Sequence, residues 1–252
     1  MSYSSESIKA VLLVGGLGTR LRSVVSSTPK PLASVGDRPF LELLVRQLRS
    51  QGIHRVVLCT GYLAEVIEKQ FGDGGKWQVT IEYSKEPHPM GTGGAVKFAE
   101  PLLRDVPDFL VMNGDSFMEI DFRALINAHS KSGGIATIAV LRMKNEMRYG
   151  TVQVTDGDRV CGFTEKSQSD GTGFVNAGIY VFSRRIFDYI PEGPVSLERD
   201  IFPKLLDQGL YASKQHGVFI DIGTPEDYTR AQGLVGRLYE AAGPKEPSGI
   251  SD

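Results

Sequence analysis

Cysteine is nearly absent from this 252-residue chain: Cys59 and Cys161 are the whole complement. They lie far apart and form no Cys-x-x-Cys, so neither a disulfide framework nor a zinc site is indicated. Cys59 closes the apolar run Val56-Val57-Leu58 and reads as a small buried hydrophobe. No apolar run approaches the roughly 20 residues that span a bilayer, and the polar opening Met1 to Ser7 lacks the pattern of a signal peptide. An excess of one charge is missing too, with 28 Lys+Arg against 30 Asp+Glu. That balance speaks against broad nucleic-acid binding, so basic chemistry must be local. The histidines, His54, His88, His129 and His216, are scattered and suggest no catalytic set. The expectation is a cytoplasmic protein with no membrane or nucleic-acid partner. Oligomeric state is left open, a homodimer included.

Glycine, by contrast, is plentiful at 29 residues. Its most informative cluster follows the apolar run Val11-Leu12-Leu13-Val14, as Gly15-Gly16-Leu17-Gly18-Thr19-Arg20-Leu21. Pro29-Lys30-Pro31 comes soon after. Glycines let backbone N–H groups approach an oxyanion, and Arg and Lys add full positive charge. The pattern suits a polyphosphate. It is not a Walker A loop, which needs Gly-x4-Gly-Lys-Ser/Thr. Nor is it the dinucleotide fingerprint, because Leu21 stands where the third glycine should be.

Along the chain, strand-like runs alternate with helical patterns. Strands are expected at 9–14, 55–59, 79–83, 108–112 and 135–141, and helices at 40–50, 63–71, 93–103 and 121–131. Such alternation implies an α/β fold: a Rossmann-like, mixed but mainly parallel sheet with helices on both faces. Further on, 151–154 and 159–164 flank Asp156-Gly157-Asp158 as a hairpin. A strand at 179–182, a helix at 197–208, a strand at 218–220 and a helix at 225–238 complete the reading. The last residues, 241–252, are rich in Pro, Gly, Ser and charge and read as disordered. In open α/β sheets, ligands bind beyond the carboxyl ends of the strands. The glycine loop, Asp115 and Asp221 all follow predicted strands and can converge there.

The segments GGLGTRLRS (15–23) and TPKPLASVGDRPFLE (28–42) resemble the signature of the sugar-phosphate nucleotidyltransferases, the enzymes that make NDP-sugars. The resemblance continues at Gly91-Thr92-Gly93-Gly94-Ala95, Asn113-Gly114-Asp115, Arg148-Tyr149-Gly150, Glu165-Lys166, Asn176-Ala177-Gly178 and Asp221-Ile222-Gly223-Thr224. It covers roughly residues 8 to 235. Within the family, the wording is most similar to the D-glycero-α-D-manno-heptose 1-phosphate guanylyltransferases. The resemblance implies a glycosyltransferase-A-like fold in one domain, 1–240. A nucleotide half (about 8–141) and a sugar half (about 142–240) would share one sheet.

It also implies a Mg²⁺-dependent transfer from GTP or another NTP to a sugar 1-phosphate. The NDP-sugar formed would feed surface-polysaccharide synthesis (capsule or lipopolysaccharide). Another pair, such as UTP or CTP with a hexose or N-acetylmuramate 1-phosphate, is the alternative within the class. A catalytically silent nucleotide-sugar binder is the alternative outside it.

Roles follow residue by residue. Arg20 and Lys30 are the expected cationic clamp, with Asp115 as the third catalytic residue. Asp115 and Asp221 are the expected metal ligands, since Mg²⁺ is held by one or two carboxylates plus substrate phosphates. Taken alone, a strand-end Asp is more often a turn or helix cap. Nucleotide contacts are expected from Leu13, Gly15, Gly16, Gly18, Thr19, Asn113 and Gly114. Further contacts are expected from Gly91, Thr92 and Gly93, whose N–H groups open a helix. Glu86 is placed to accept from guanine N1–H and N2–H₂. However, its surroundings, Lys85 to Met90, depart from the family's usual Glu-Pro-Leu. Gly150, Glu165, Lys166 and Asn176 are the expected sugar-phosphate contacts. The nucleophile needs no activating base, because a phosphate monoester with a second pKa near 6 is largely dianionic at neutral pH.

Overall fold

In a computed structural model, the described residues are 8–16, 18–21, 28–144, 151–164 and 172–243. In chain order the elements are β1 (Lys9–Leu13), β2 (Ser34–Val35), β3 (Arg38–Pro39), α1 (Phe40–Ser50), β4 (Arg55–Thr60), α2 (Ala64–Phe71), β5 (Thr80–Lys85) and α3 (Gly91–Phe98). Then come β6 (Asp108–Asn113), β7 (Ser116–Met118), α4 (Phe122–Ser132), β8 (Ala136–Lys144), β9 (Thr151–Val154), β10 (Val160–Thr164) and β11 (Thr172–Ser183). The last are α5 (Phe202–Leu205), β12 (Leu210–Gln215), β13 (Phe219–Asp221), α6 (Pro225–Gly233) and α7 (Val235–Ala241).

Nine strands form one mixed sheet in the order β10-β9-β11-β6-β1-β4-β5, with β8 on β11 and β12 on β8. Strand β1 is its axis, pairing in parallel with both β4 and β6. Leu13 stands opposite Cys59 on one side and Asn113 on the other. The carboxyl ends of three strands therefore open at one level, and their loops converge there. The strands are buried on both faces, as a parallel sheet under helices must be. Ala10 and Leu12 belong to one core with Leu44 and Leu48 of α1. Val11 belongs to a second core with Val96 of α3 and Phe202 of α5. This is the period-two alternation of a strand sandwiched between helix layers. Burial of the Cys59 thiol within that second core pushes its pKa upward.

Helix α1 covers the residues read from its spacing, 40–50, with Phe40, Leu41, Leu44, Val45 and Leu48 buried. Truncating one such leucine to alanine costs about 2–5 kcal/mol. Gly52, at φ +82°, carries the chain out of the helix. Helix α4 is capped by Asp121, whose side chain accepts from the Ala124 N–H, and it ends at left-handed Gly133.

Several expectations need correction, and one strand of the sheet went unread. The strand read at 179–182 is the twelve-residue β11. It continues through Asn176-Ala177-Gly178 because left-handed Gly178 (φ +71°) makes a bulge where pairing with β8 shifts register. The helix read at 197–208 is a π-helical turn, Leu197–Ile201, followed by the short α5, with Pro203 early in the latter. The helix read at 225–238 is two helices, α6 and α7, meeting at Leu234. Strand β12, unread in the sequence, pairs in parallel with β8 along Leu210 to Gln215.

Candidate active site

The loop after β1 is shaped by contacts that only glycine permits. A Cβ on Gly15 would sit 2.5 Å from Glu86 Oε1 and 3.1 Å from the Gly61 nitrogen. Gly18 is left-handed (φ +60°), and a Cβ there would meet the Lys30 Cβ at 2.9 Å. Thr19, Arg20 and Leu21 follow as a 3₁₀ turn whose buried Leu21 anchors exposed Arg20 at the rim. Lys30 begins a second 3₁₀ turn, Lys30–Leu32, between Pro29 and Pro31, with Pro31 and Leu32 buried beneath it. Proline fixes φ on either side and limits the backbone positions of the lysine.

Two carboxylates meet this loop. Strand β6 ends in Asn113, and Gly114 follows, donating its N–H to Leu13 O at 3.0 Å. Asp115 comes next. Strands β7 and β13 then form a two-stranded antiparallel ribbon with Ser116 opposite Asp221. The Ile222 N–H donates to the Asp115 carbonyl at 2.9 Å. This ribbon brings the two aspartates to one place. Lys30 Nζ donates to Asp115 Oδ2 at 2.6 Å, with the lysine side chain only 11% exposed. Asp221 Oδ1 accepts from the Gly223 N–H at 2.6 Å. A Cβ on Gly223 would fall 2.8 Å from that same oxygen and 3.3 Å from Lys30 Nζ, so Gly223 keeps the space between them open. Burial raises the Asp221 carboxyl to about 6, helped by the negative charge of Asp115 and opposed by Lys30. Two acidic groups thus crowd one partly dry place with the Lys30 ammonium against them.

Two adjoining cavities open here. One, of about 290 Å³, is lined by Gly16, Gly18, Arg20, Lys30, Asp115 and Gly223, among others. The cationic side chains of Arg20 and Lys30 in its wall suit phosphate groups. The other, of about 390 Å³, is lined by Gly15, Glu86, Pro89, Met90, Thr92 and Asn113, among others. Leu13, Gly16 and Asp115 belong to both. A planar base fits the second cavity, with apolar walls from Pro89 and Met90 and polar edges from Glu86 and Asn113.

The structure brings most of the sequence-expected residues together but changes what several can offer. Glu86 is not free at both oxygens, because Oε2 accepts the Met90 N–H at 2.9 Å and fixes the approach to α3. Burial raises its pKa, while the Met90 N–H and His88 oppose that shift. The Gly93 N–H, expected to face the nucleotide, is given to Val195 O at 2.9 Å. The same carbonyl takes the Gly94 N–H, at 3.1 Å. The Thr92 hydroxyl is likewise engaged, donating to Glu198 Oε2 at 2.7 Å and accepting from the Leu197 N–H at 2.8 Å. The first turn of α3 is therefore a dock for the 195–198 segment as well as a cavity wall. Asn176 lies on β11, its amide shared between the Tyr180 hydroxyl and the Gly178 N–H. Gly150, Glu165, Lys166 and the side chain of Thr19 lie outside the described residues. Sequence reading missed Gly223, Pro89 and Met90 as lining. Gly223 had a signal in its place two residues after Asp221, whereas the other two had none.

A glycine loop and a carboxylate at the carboxyl ends of the parallel strands β1 and β6, with Arg20, Lys30 and a second carboxylate brought in by an antiparallel ribbon, are the layout of a phosphate-handling α/β protein. The chain belongs to the nucleotidyl transferase family, whose model matches residues 9–236. It is 40% identical over 227 residues to a D-glycero-α-D-manno-heptose 1-phosphate guanylyltransferase of Aneurinibacillus thermoaerophilus, covering 89% of this chain and 97% of that protein. It is 38% identical over 231 residues to a mannose-1-phosphate guanylyltransferase of Mycobacterium tuberculosis. That match covers 90% of this chain, which spans 64% of the length of that relative. Among solved structures, HddC from Yersinia pseudotuberculosis, in complex with GMP-PN, superimposes with a TM-score of 0.80 at 33% identity. The match covers 90% of this chain and 98% of that one.

Proposed function

We propose that the protein transfers a guanylyl group from GTP to a sugar 1-phosphate, giving a GDP-sugar and pyrophosphate. D-glycero-α-D-manno-heptose 1-phosphate is the acceptor we put first. The observation that carries the reading is Lys30 Nζ resting 2.6 Å from Asp115 beside Asp221, at the mouth of the glycine loop. The choice of GTP and the heptose phosphate is supported by the relative of that name, matched over nearly its whole length. Mannose 1-phosphate is the second reading, favoured by the 38% identity to the enzyme named for it.

The reaction is an in-line displacement. A phosphate oxygen of the sugar 1-phosphate forms a bond to the α-phosphorus of GTP, and the bond from that phosphorus to the bridging oxygen breaks. Catalysis of such a step is mainly positioning and charge stabilisation. Arg20, exposed at the rim of the phosphate-side cavity, neutralises the departing pyrophosphate. Lys30 holds the α-phosphate and the incoming phosphate together, which otherwise repel. Backbone around Gly15, Gly16 and Gly18 lets the phosphates lie close. The crowded pair Asp115 and Asp221, with its surplus of negative charge, fits a hard divalent cation, and these two residues would hold Mg²⁺. When bound, the ion supplies Lewis-acid neutralisation of phosphate charge.

The test is pyrophosphate release from four NTPs against heptose, mannose and glucose 1-phosphates, with and without Mg²⁺. Turnover confined to GTP with the heptose phosphate supports the first reading. Turnover with mannose 1-phosphate moves the assignment to the second. A folded preparation that is inactive with every pair refutes the catalytic reading.

A further inference from the structure

One half-buried carboxylate has no part in the chemistry just described. Glu198 lies in the π-helical turn Leu197–Ile201. Turns of this kind occur frequently at functional sites. Its Oε2 accepts from Thr92 Oγ1 at 2.7 Å and from Ser196 Oγ at 2.9 Å. Its Oε1 accepts from the hydroxyl of fully buried Tyr180 at 3.1 Å. The chain continues outward at both ends. Leu197 N–H donates to Thr92 Oγ1, Asn176 Nδ2 donates to the Tyr180 hydroxyl at 2.9 Å, and Gly178 N–H donates to Asn176 Oδ1 at 2.8 Å.

An ionised carboxylate only accepts hydrogen bonds. Each hydroxyl in the network therefore has one direction for its hydrogen. Thr92 gives its hydrogen to Glu198 and cannot offer it to the cavity it lines. Tyr180 gives its hydrogen to Glu198 and so can only accept from Asn176. The Asn176 amide is oriented as a result, with one N–H and one Oδ1 lone pair left to meet another group. Burial, and then the charge of Glu198, raise the Tyr180 phenol well above its ordinary pKa, which keeps it protonated as the donor. Both ends of the network reach the site. Thr92 lines the cavity beside Glu86 and Asn113. The Asn176–Gly178 bulge lies on the Asn113 amide, whose Nδ2 is 2.6 Å from the place a Gly178 Cβ would take.

We propose that Glu198 is a positioning residue that orders the nucleotide and sugar subsites together, by fixing the hydrogen-bond direction at Thr92 on one side and at Asn176 on the other. This rests on the reading of Asn176 as a partner of sugar hydroxyls and of the second cavity as the nucleotide's. A glutamine at 198 keeps the shape but must aim an N–H at one of these hydroxyls. If it faces Thr92, the threonine hydrogen turns into the cavity. If it faces Tyr180, the phenol hydrogen turns towards an Asn176 N–H that already points at it.

The experiment is steady-state kinetics of the wild type, Glu198→Gln and Tyr180→Phe, varying each substrate of whichever pair the wild type turns over. Glu198→Gln is expected to raise about tenfold the KM of the substrate at the end its amide N–H faces, the nucleotide at Thr92 or the sugar 1-phosphate at Tyr180, the loss of one charge-assisted hydrogen bond, with kcat within about threefold. Tyr180→Phe is expected to raise the KM of the sugar 1-phosphate alone. A folded Glu198→Gln with both KM values near those of the wild type overturns the proposal, as does a fall in kcat with KM unchanged. If Glu198→Gln does not fold, Tyr180→Phe decides: an unchanged sugar KM overturns the proposal and a raised one supports it. A wild type that turns over no pair instead sinks the functional reading, and this proposal with it.

Discussion

Replacing Gly114 with alanine adds a single methyl group where the geometry of the site is set. Gly114 bonds through its N–H to Leu13 O, and its Cβ would stand 2.6 Å from that oxygen and 2.6 Å from Val14 Cγ1. Real contacts of this kind do not fall below 3.0 Å, so a backbone shift of at least about 0.4 Å is needed. The first neighbour is backbone in the central strand, so it cannot swing aside as a side-chain tip would. Overpacking of this kind costs about 1–3 kcal/mol. At roughly 2–4 °C per kcal/mol for a chain of this size, the melting temperature should fall by about 2–12 °C. The shift lands between the glycine loop and Asp115, the two parts that must be in register for in-line attack. A misplacement of about 1 Å can cost 10²-fold in rate, so a loss of about tenfold or more in kcat is expected. Calorimetry gives the first quantity and pyrophosphate release the second. A variant that melts with the wild type and turns over at its rate would show that β1 and β6 part freely at this end, and the argument from close approach would fail.

Other substitutions probe charge and packing. Lys30→Met removes the ammonium beside Asp115, and kcat should fall by about 10²–10³ with the fold intact; circular dichroism with kinetics checks this, and near-native turnover would remove Lys30 from the chemistry. Asp221 has its carboxyl raised from 3.8 to about 6 by burial and Asp115, with Lys30 opposing and Asp227 adding a smaller push upward. In the metal-free protein its contribution to stability is therefore complete below about pH 4 and is lost as pH rises through about 6. The melting temperature of the wild type, relative to Asp221→Asn, should decline across that window, and parallel curves would contradict the assignment. Gln47, fully buried in α1, donates from Nε2 to Met118 O at 2.6 Å. Gln47→Leu should cost about 1–3 kcal/mol by leaving that carbonyl short of a donor, and an unchanged urea midpoint would argue against it.

What the sequence made legible was local. Helix α1 advertises itself by apolar spacing, and β1 by an unbroken apolar run ending at glycines. Asp115 and Asp221 could each be placed at a strand end for the same reason. What brings them together could not be read. Ser116–Met118 is too short to carry a pattern, and its pairing with Phe219–Asp221 joins distant parts of the chain. Strand β11 was hidden because Asn176-Ala177-Gly178 reads as a turn, whereas a bulge lets the strand continue through it. The Gly93 N–H looked like a free donor because nothing in its own neighbourhood announces Val195, whose carbonyl takes it, and nothing beside Thr92 announces Glu198 on its hydroxyl. Local chemistry shows which groups are present, whereas occupancy depends on partners a hundred residues away.

The β7–β13 ribbon also has a consequence for the life of the chain. A polypeptide emerging from the ribosome from its amino end has made every strand of the nine-stranded sheet once Gln215 is added. It still lacks Asp221 and the strand that holds Asp115 in place. Asp115 then has no second carboxylate and no Ile222 N–H on its carbonyl. The acidic centre is thus assembled last in chain order: every strand of the large sheet precedes β13, yet without β13 that centre cannot form.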